Sequence, residues 1–294
     1  MSVAINMPQM AAGGLSENWL FRHCGDLHWQ ALCRSLGVRS AQLQSAEGTR
    51  LYASFVAISA RYTQPLSIVR ENEVLEEQVS IARYGSAFYQ GQITLCGDRM
   101  RIDHEMITAF VARTEEGRNN LRKSVPGPQF DYRDRVITEA PPLLTRAAEL
   151  RKRSVRTIRI DSFAISLDAA SLDVEMVYEP TPYIDYNGAN LLYYASYPSI
   201  CDFAERQLIG RHRLMPEIAT DWVLAASTIA RDVFYYRNLD LGDAVVVRLE
   251  QLKREDDKVL LHSRILRASD RDVIGETFTV KALRSVGSDA SEAS

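Results

Sequence analysis

A weak internal repeat constrains this chain more than any local signal, because self-similarity at domain scale fixes architecture before propensities do. The first copy runs from Gly13-Gly14-Leu15-Ser16-Glu17-Asn18-Trp19-Leu20 to His28-Trp29, and the second from Tyr186-Asn187-Gly188-Ala189-Asn190-Leu191-Leu192-Tyr193 to Asp202-Phe203. Setting Gly14 against Gly188 places Trp19 against Tyr193 and Trp29 against Phe203. Apolar residues then recur at helical spacing: Leu15, Trp19, Leu20, Leu27, Ala31 and Leu32 in one copy, Leu191, Tyr194, Ala195, Phe203, Ala204 and Leu208 in the other. Each copy predicts a long helix opened by a glycine turn, with Pro198 kinking or ending the first part of the second helix. Strand patterns follow each helix. In the first half they cover Arg50 to Val56, Leu66 to Val69, Leu75 to Tyr84 and Ala87 to Leu95; in the second, Ala230 to Tyr236, Ala244 to Leu252, Val259 to Ala268 and Val273 to Ala282.

Between the halves, Glu116 to Pro142 is rich in breakers (Val125-Pro126-Gly127-Pro128, Ala140-Pro141-Pro142) and reads as a linker. Arg146 to Arg159 reads as a solvated helix face leading into a strand from Thr157 to Ile165; a basic phosphate groove at Arg151-Lys152-Arg153 is the sharper alternative. One long helix wrapped by a curved antiparallel sheet is the hot-dog arrangement, and two copies in one chain supply the double hot-dog that otherwise forms by dimerisation. The expected fold is therefore α+β: two antiparallel sheets, each wrapped around a long central helix. An N-terminal hot-dog domain with the linker spans 1–142, a C-terminal hot-dog domain 143–286, and a disordered tail 287–294. Association of two chains through their sheets is left open.

Composition narrows the function classes. With 46% apolar residues the chain can build a core, and 35 basic against 38 acidic residues leave a net charge of −3, which marks neither a nucleic-acid surface nor an acidic tail. No run approaches the roughly 18 apolar residues of a membrane span, and the first residues lack the basic flank and apolar core of a signal peptide, so a cytoplasmic protein is expected. Cys24, Cys33, Cys96 and Cys201 have no metal or disulfide spacing and read as buried thiols; Cys24, near His23 and His28, is the one that raises a nucleophile question. His23, His28, His104, His212 and His262 form no ligand motif, and no Walker, Rossmann or GxSxG pattern occurs, so neither metal nor organic cofactor is expected.

The segment Tyr183-Ile184-Asp185-Tyr186-Asn187-Gly188-Ala189-Asn190-Leu191-Leu192-Tyr193-Tyr194 resembles the helix start of hot-dog acyl-CoA thioesterases, where an Asp and an Asn or Gly precede an aromatic-rich helix. The opening Met7-Pro8-Gln9-Met10-Ala11-Ala12-Gly13-Gly14-Leu15-Ser16-Glu17-Asn18-Trp19-Leu20, with Cys24-Gly25-Asp26-Leu27-His28-Trp29 and Arg231-Asp232-Val233-Phe234-Tyr235-Tyr236-Arg237-Asn238-Leu239-Asp240-Leu241-Gly242-Asp243, resembles the bifunctional acyltransferase/decarboxylase family of leinamycin-type polyketide biosynthesis. That resemblance implies an enzyme that takes methylmalonyl-CoA (or malonyl-CoA), acylates its own tyrosine, decarboxylates the ester, and passes propionyl (or acetyl) to the phosphopantetheine of an acyl carrier protein. It places the tyrosine at Tyr52, with Tyr62 competing.

The residues themselves allow this chemistry. Orphan N–H groups at a helix start would meet the thioester oxygen and stabilise the enolate left by decarboxylation. Gly13, Gly14, Asn187 and Gly188 are the candidates there, although Gly188 could equally make only the turn. A phenol has an ordinary pKa of about 10 and needs an activator, for which His28, His104 and Arg50 are the available types. Ser16 reads as a helix cap, and His28 as either a pocket base or an outward-facing residue. Asp185 and Asp202 could supply the carboxylate of a hydrolase. The tyrosines at 183, 186, 193, 194 and 197 read mostly as packing, with a pantetheine channel as the alternative. Two other functions stay open: a hot-dog thioesterase or dehydratase, and a non-catalytic acyl or carrier-protein binding module.

Overall fold

The computed structural model describes residues 1–114, 121–130, 133, 135–218 and 220–284. The expected tail, and part of the expected linker, lie outside them. Strand β1 (Ser2–Ala4) precedes helix α1 (Glu17–Ser35), and strands β2 (Leu51–Tyr62), β3 (Val74–Tyr84), β4 (Phe88–Cys96) and β5 (Arg101–Arg113) follow it. Helix α2 (Pro142–Lys152), a hairpin of Thr157–Ile160 with Phe163–Ser166, and strand β6 (Val174–Tyr178) lead to helix α3 (Ser196–His212). The second meander is β7 (Ala226–Tyr235), β8 (Val245–Glu255), β9 (Lys258–Arg267) and β10 (Val273–Leu283).

The helix-then-meander repeat is present, and its two sheets merge into one. The order is β1-β3-β4-β5-β2-β7-β10-β9-β8-β6, joined where β2 pairs antiparallel with β7 from Ala57 opposite Phe234 to Arg61 opposite Ala230. Leu20, Phe21 and Cys24 of α1 and Ile200, Cys201 and Ala204 of α3 enter a single core with Ile58, Met106, Val233 and Ile265. The buried stripes of the two helices superpose when Cys24 is set against Cys201: Leu20, Phe21, Leu27, His28, Ala31 and Leu32 then fall on Tyr197, Pro198, Ala204, Glu205, Leu208 and Ile209, all buried. The repeat is therefore real but displaced by three residues from the glycine alignment.

Several elements differ from expectation for identifiable reasons. Leu66–Ile68 is a short 3-10 turn after Pro65 instead of a strand, with Leu66 and Val69 both reaching the core. Strand β5 has no half-exposed alternation over Met106 to Val111, which are buried on both faces. Asp161, at φ 49°, folds the expected single strand into a hairpin. That hairpin and α2 cover the outer face of the sheet, Leu143, Leu144, Ala147, Ile158 and Phe163 packing on Phe234, Leu260 and Phe278. Helix α2 thus has an apolar face that a charge count alone hides. Helix α3 starts at Ser196, well after Gly188, and Pro198 lies in its first turn, where the missing N–H costs nothing, so the helix runs on past it to His212.

A charge cluster ties the halves together between the two helices. Fully buried Arg231 of β7 donates to Glu17 of α1 through Nε (3.0 Å) and Nη2 (2.8 Å), and to Asp202 of α3 (2.8 Å). Lys281 of β10 reaches Asp202 (2.8 Å) and Glu205 (2.9 Å), while Tyr62 donates to Glu17 (3.2 Å). Removing one member of such a set leaves its partners as uncompensated buried charge. Arg231→Ala should lower unfolding free energy by about 3–5 kcal/mol, and adding Glu17→Gln to it should recover part of that loss. Chemical denaturation checks both; a loss below about 1 kcal/mol would mean the cluster is hydrated and weak.

Candidate functional site

Strands β2 and β7 part beyond Ala57, and a cavity of about 1080 Å³ opens between them. It reaches both faces of the sheet. On the inner face its wall is Gly25 and His28 of α1, Phe55 of β2, Tyr235 of β7, and the loop leading into α3 with Asn187, Leu192 and Tyr194. On the outer face the wall is Tyr52 and Ser54 of β2, Phe88 of β4, and Leu144, Ala147 and Arg151 of α2.

The loop before α3 is built by its own side chains. Asp185 is buried; its Oδ2 accepts from the Tyr178 hydroxyl (3.0 Å) and the Thr181 N–H (2.8 Å), and its carbonyl from the Tyr193 N–H (2.7 Å). It is a structural anchor, so the hydrolytic role considered for it is not supported by its surroundings. Asn187 Oδ1 accepts from the N–H groups of Ala189 (2.9 Å) and Leu191 (3.2 Å), which leaves its Nδ2 as the donor the loop does not use. The left-handed residue of this turn is Asn190 (φ 55°), and Gly188 is exposed with open space around it and does not line the cavity.

Gly13 and Gly14 are also outside the lining. Gly14, at φ 124°, lies so close to the main chain of Leu66 and Ser67 that a Cβ would stand 2.4 Å from Ser67 Cα. Close packing of two backbone segments, not substrate approach, requires that glycine. Ser16 Oγ accepts from the Trp19 N–H (3.2 Å), the expected cap. Glycine turns therefore do not line the cavity; of the expected residues, Tyr52 lines it on the outer face and His28 and Asn187 on the inner face.

Tyr52 is half-buried, and its hydroxyl has no hydrogen-bond partner among the described residues. The Arg50 guanidinium lies over its ring, 5.9 Å from the centroid. Of the three activators considered, Arg50 alone is beside it. His28 is on the inner face, its Nε2 2.8 Å from Thr108 Oγ1 and its Nδ1 against Gly91, where a Cβ would approach within 2.0 Å. Burial lowers its pKa to about 3, so it is a neutral wall residue. His104 is likewise buried and lowered to about 3, beside Tyr62 at the Glu17 cluster. Tyr62 lies outside the cavity lining with its pKa pushed well up by burial and by Glu17, which removes it as the competing nucleophile. Burial also pushes the Cys24 thiol up, leaving it protonated and inert.

The tyrosine-rich run serves mostly packing, and part of it lines the cavity. Tyr186, Tyr194 and Tyr197 donate to the carbonyls of Asp240, Phe21 and Arg237, whereas Tyr183 is exposed; Tyr193, Tyr194 and Tyr197 also line the cavity. The sequence reading missed the cationic rim. Arg50, Lys123, Arg151 and Lys152 all line the cavity, and none is ion-paired with a carboxylate among the described residues. Burial and the neighbouring Arg151 charge lower the pKa of Lys123. Arg151 and Lys152 are exposed, as a solvated helix face requires, and also stand at the cavity rim. Among the described residues no three His, Cys, Asp or Glu side chains gather to hold a metal, and no helix is long and apolar enough to cross a membrane.

No protein-family model and no curated protein matches the chain. Solved structures do. A protein assigned as an oleoyl thioesterase from Lactobacillus plantarum aligns over 96% of this chain and 95% of its own, with TM-score 0.67 at 14% identity. An acyl-ACP thioesterase from Bacteroides thetaiotaomicron aligns over 96% of each chain (TM-score 0.61, 10% identity). The 12:0-ACP thioesterase of Umbellularia californica aligns over 97% of this chain and 93% of its own (TM-score 0.61, 8% identity). The chain has a double hot-dog fold.

A double hot-dog has two pseudo-equivalent sites, and here they have diverged. In the register that pairs Cys24 with Cys201, Gly25 and His28 of α1 correspond to Asp202 and Glu205 of α3. The ionic cluster fills the second place; in the first, glycine and a neutral imidazole leave the cavity. A Cβ on Gly25 would stand 1.7 Å from the Tyr194 hydroxyl. Gly25→Ala should therefore destabilise the protein by about 1–3 kcal/mol through overpacking, although the same change in a free helix stabilises. Gly210→Ala, exposed in α3 with open space around it, should instead stabilise by about 0.5–1 kcal/mol. Equal signs for the two in urea melts would contradict the Tyr194 contact.

The buried imidazole also sets a pH dependence. Since His28 is depressed below its unfolded value, stability is complete above about pH 6.5 and is lost as pH falls toward about 3. Between pH 7 and 5 this one group should cost about 2 kcal/mol, and His28→Gln should make the pH profile shallower by that amount. An unchanged profile would show that the ring is solvated.

Proposed function

We propose that this protein is an enzyme acting on acyl thioesters, and within that class an acyltransferase and decarboxylase that uses malonyl-type acyl-CoA and an acyl carrier protein. The observation that carries the reading is the cavity itself: the phenol of Tyr52, which has no hydrogen-bond partner among the described residues, opens onto a passage with an apolar inner end and a rim of Arg50, Lys123, Arg151 and Lys152, none paired with a carboxylate among the described residues. Such a rim suits the phosphates of coenzyme A or phosphopantetheine, and the aromatic inner end suits a short acyl group. The fold neighbours, whose names are those of thioesterases, support thioester chemistry in general.

In the sequence of steps, the Tyr52 oxygen attacks the thioester carbonyl, and its proton leaves with the departing thiolate of coenzyme A. The carbon–carbon bond to the free carboxylate then breaks. Carbon dioxide departs, and its electron pair passes into the ester as an enolate, which is reprotonated at carbon. The carrier thiol finally attacks the tyrosyl ester and restores the phenol. Arg50 favours the phenolate as leaving group and nucleophile, and the Asn187 Nδ2 is the side-chain donor available to the developing oxyanion. The carboxylates of the lining, Asp26 and Asp240, are an exposed residue held by Gln30 (2.8 Å) and a half-buried turn residue. Placement of Gly25 where α3 has Asp202 keeps a third carboxylate out of the inner chamber, which favours transfer over hydrolysis.

Incubation with methylmalonyl-CoA labelled at its free carboxylate should release labelled carbon dioxide and give an intact-mass adduct of one propionyl group. Tyr52→Phe should abolish the adduct and lower turnover by about 10²-fold or more. Free acid as the product would establish a thioesterase instead, and binding without turnover a non-catalytic module.

A further inference from the structure

We propose that the exposed end of α2, Lys152 and Arg153 with Arg151 beside them, is the surface on which the acyl carrier protein docks, through an acidic helix next to the serine that bears its phosphopantetheine. This rests on the carrier-protein reading above and names the face of this chain that the carrier meets.

A count of charges singles out this end of the helix. From Pro142 to Arg159 the chain carries Arg146, Arg151, Lys152, Arg153, Arg156 and Arg159 against the single acid Glu149. Two of these cations are committed within the fold, Arg146 to buried Asp232 (3.0 Å) and Arg156 to Asp168 (2.9 Å). Arg151 donates to the Tyr236 carbonyl (3.2 Å), and Lys152 and Arg153 are exposed with no side-chain partner among the described residues. The helix dipole favours cations in a last turn. It does not account for Lys123, which a different segment brings near enough for the Arg151 charge to lower its pKa. Like charges gathered from two segments are relieved by an anion from outside.

The shape of the patch favours a protein over a lone phosphate. Arg151 and Lys152 border the main cavity on its outer face, whereas Arg151 and Arg153 border a second recess of about 490 Å³, walled also by Arg237 and Arg264. One phosphate group cannot meet both recesses, and a helix with acids along one face can. Arg153 is the left-handed cap of α2 (φ 53°), a position that glycine fills without strain, so its side chain is not what ends the helix. Tyr52 lies on the same outer face of the sheet, so an arm reaching in from a carrier seated on α2 approaches the phenol without crossing the sheet.

Propionyl transfer from methylmalonyl-CoA by the full chain, measured to an acidic holo acyl carrier protein of fatty-acid synthesis and to free phosphopantetheine, tests this. The carrier should be the better acceptor by roughly tenfold or more at low salt, and the advantage should shrink as salt rises. Arg153→Glu should lower kcat/KM for the carrier by about tenfold and leave transfer to phosphopantetheine unchanged. Arg213→Glu makes the same charge change at the left-handed cap of α3 (φ 49°) and should alter neither. Equal losses in the two variants, an undiminished carrier advantage in Arg153→Glu, or a carrier no better than phosphopantetheine at any salt would each overturn the inference and leave the proposed function standing. Absence of transfer to both acceptors overturns the proposed function instead. Should Arg153→Glu fail to fold, Arg153→Gly removes the charge while relieving the left-handed cap, and the carrier advantage must still fall.

Discussion

Five residues of β-pairing, Ala57 to Arg61 against Phe234 to Ala230, hold the two halves of this molecule in one sheet, and the cavity opens where that pairing ends. Longer pairing would close the sheet and leave Tyr52 on a sealed surface. Shorter pairing would part the halves and unseat the buried Arg231 from Glu17. The bulge after Phe55 sets the limit, because it changes which backbone groups face β7. Local irregularity in one strand thus produces a cavity that opens on both faces of the sheet.

Duplication gives the chain two chances at a site, and electrostatics divides them. At the start of α1, Glu17, Arg231, Asp202 and Lys281 occupy the space between helix and sheet, and their mutual satisfaction makes them a fastening. Ahead of α3 the corresponding positions are Gly25 and neutral His28, which carry no charge to neutralise and leave room for Tyr194. Arg50, Lys123, Arg151 and Lys152, unpaired with any carboxylate among the described residues, are instead gathered on the outer rim. The paired charges and the rim cations lie on opposite faces of one sheet.

Much of the fold was legible in the sequence because both halves repeat a helix and then period-two strands: seven of the eight expected strands, helix α1 and its Ser16 cap stand where patterning put them, and α3 is present with a later start. What patterning missed has physical causes. Strand β5 is buried on both faces and so lacks alternation, and α2 covers the outer face with only four buried side chains amid its charges. Helix α3 begins late because Asp185 and Asn187 bind their own backbone into a loop. Tyr52, His28 and Asn187 were legible as cavity residues through family resemblance and spacing. Gly13 and Gly14 misled because a glycine needed for close backbone packing looks, in sequence, like one needed for a ligand. The cationic rim draws on β2, the segment after β5, and α2, which only the folded chain brings together.

The central claim is that the thioester enters where β2 parts from β7. A crystal structure of the protein with a non-reactive thioether analogue of malonyl-CoA tests it most directly. The account requires density for the pantetheine arm in the passage where β2 parts from β7, with the acyl group within reach of the Tyr52 oxygen. Density at the Glu17–Arg231 cluster, or an arm bound on the surface with the passage empty, would contradict it.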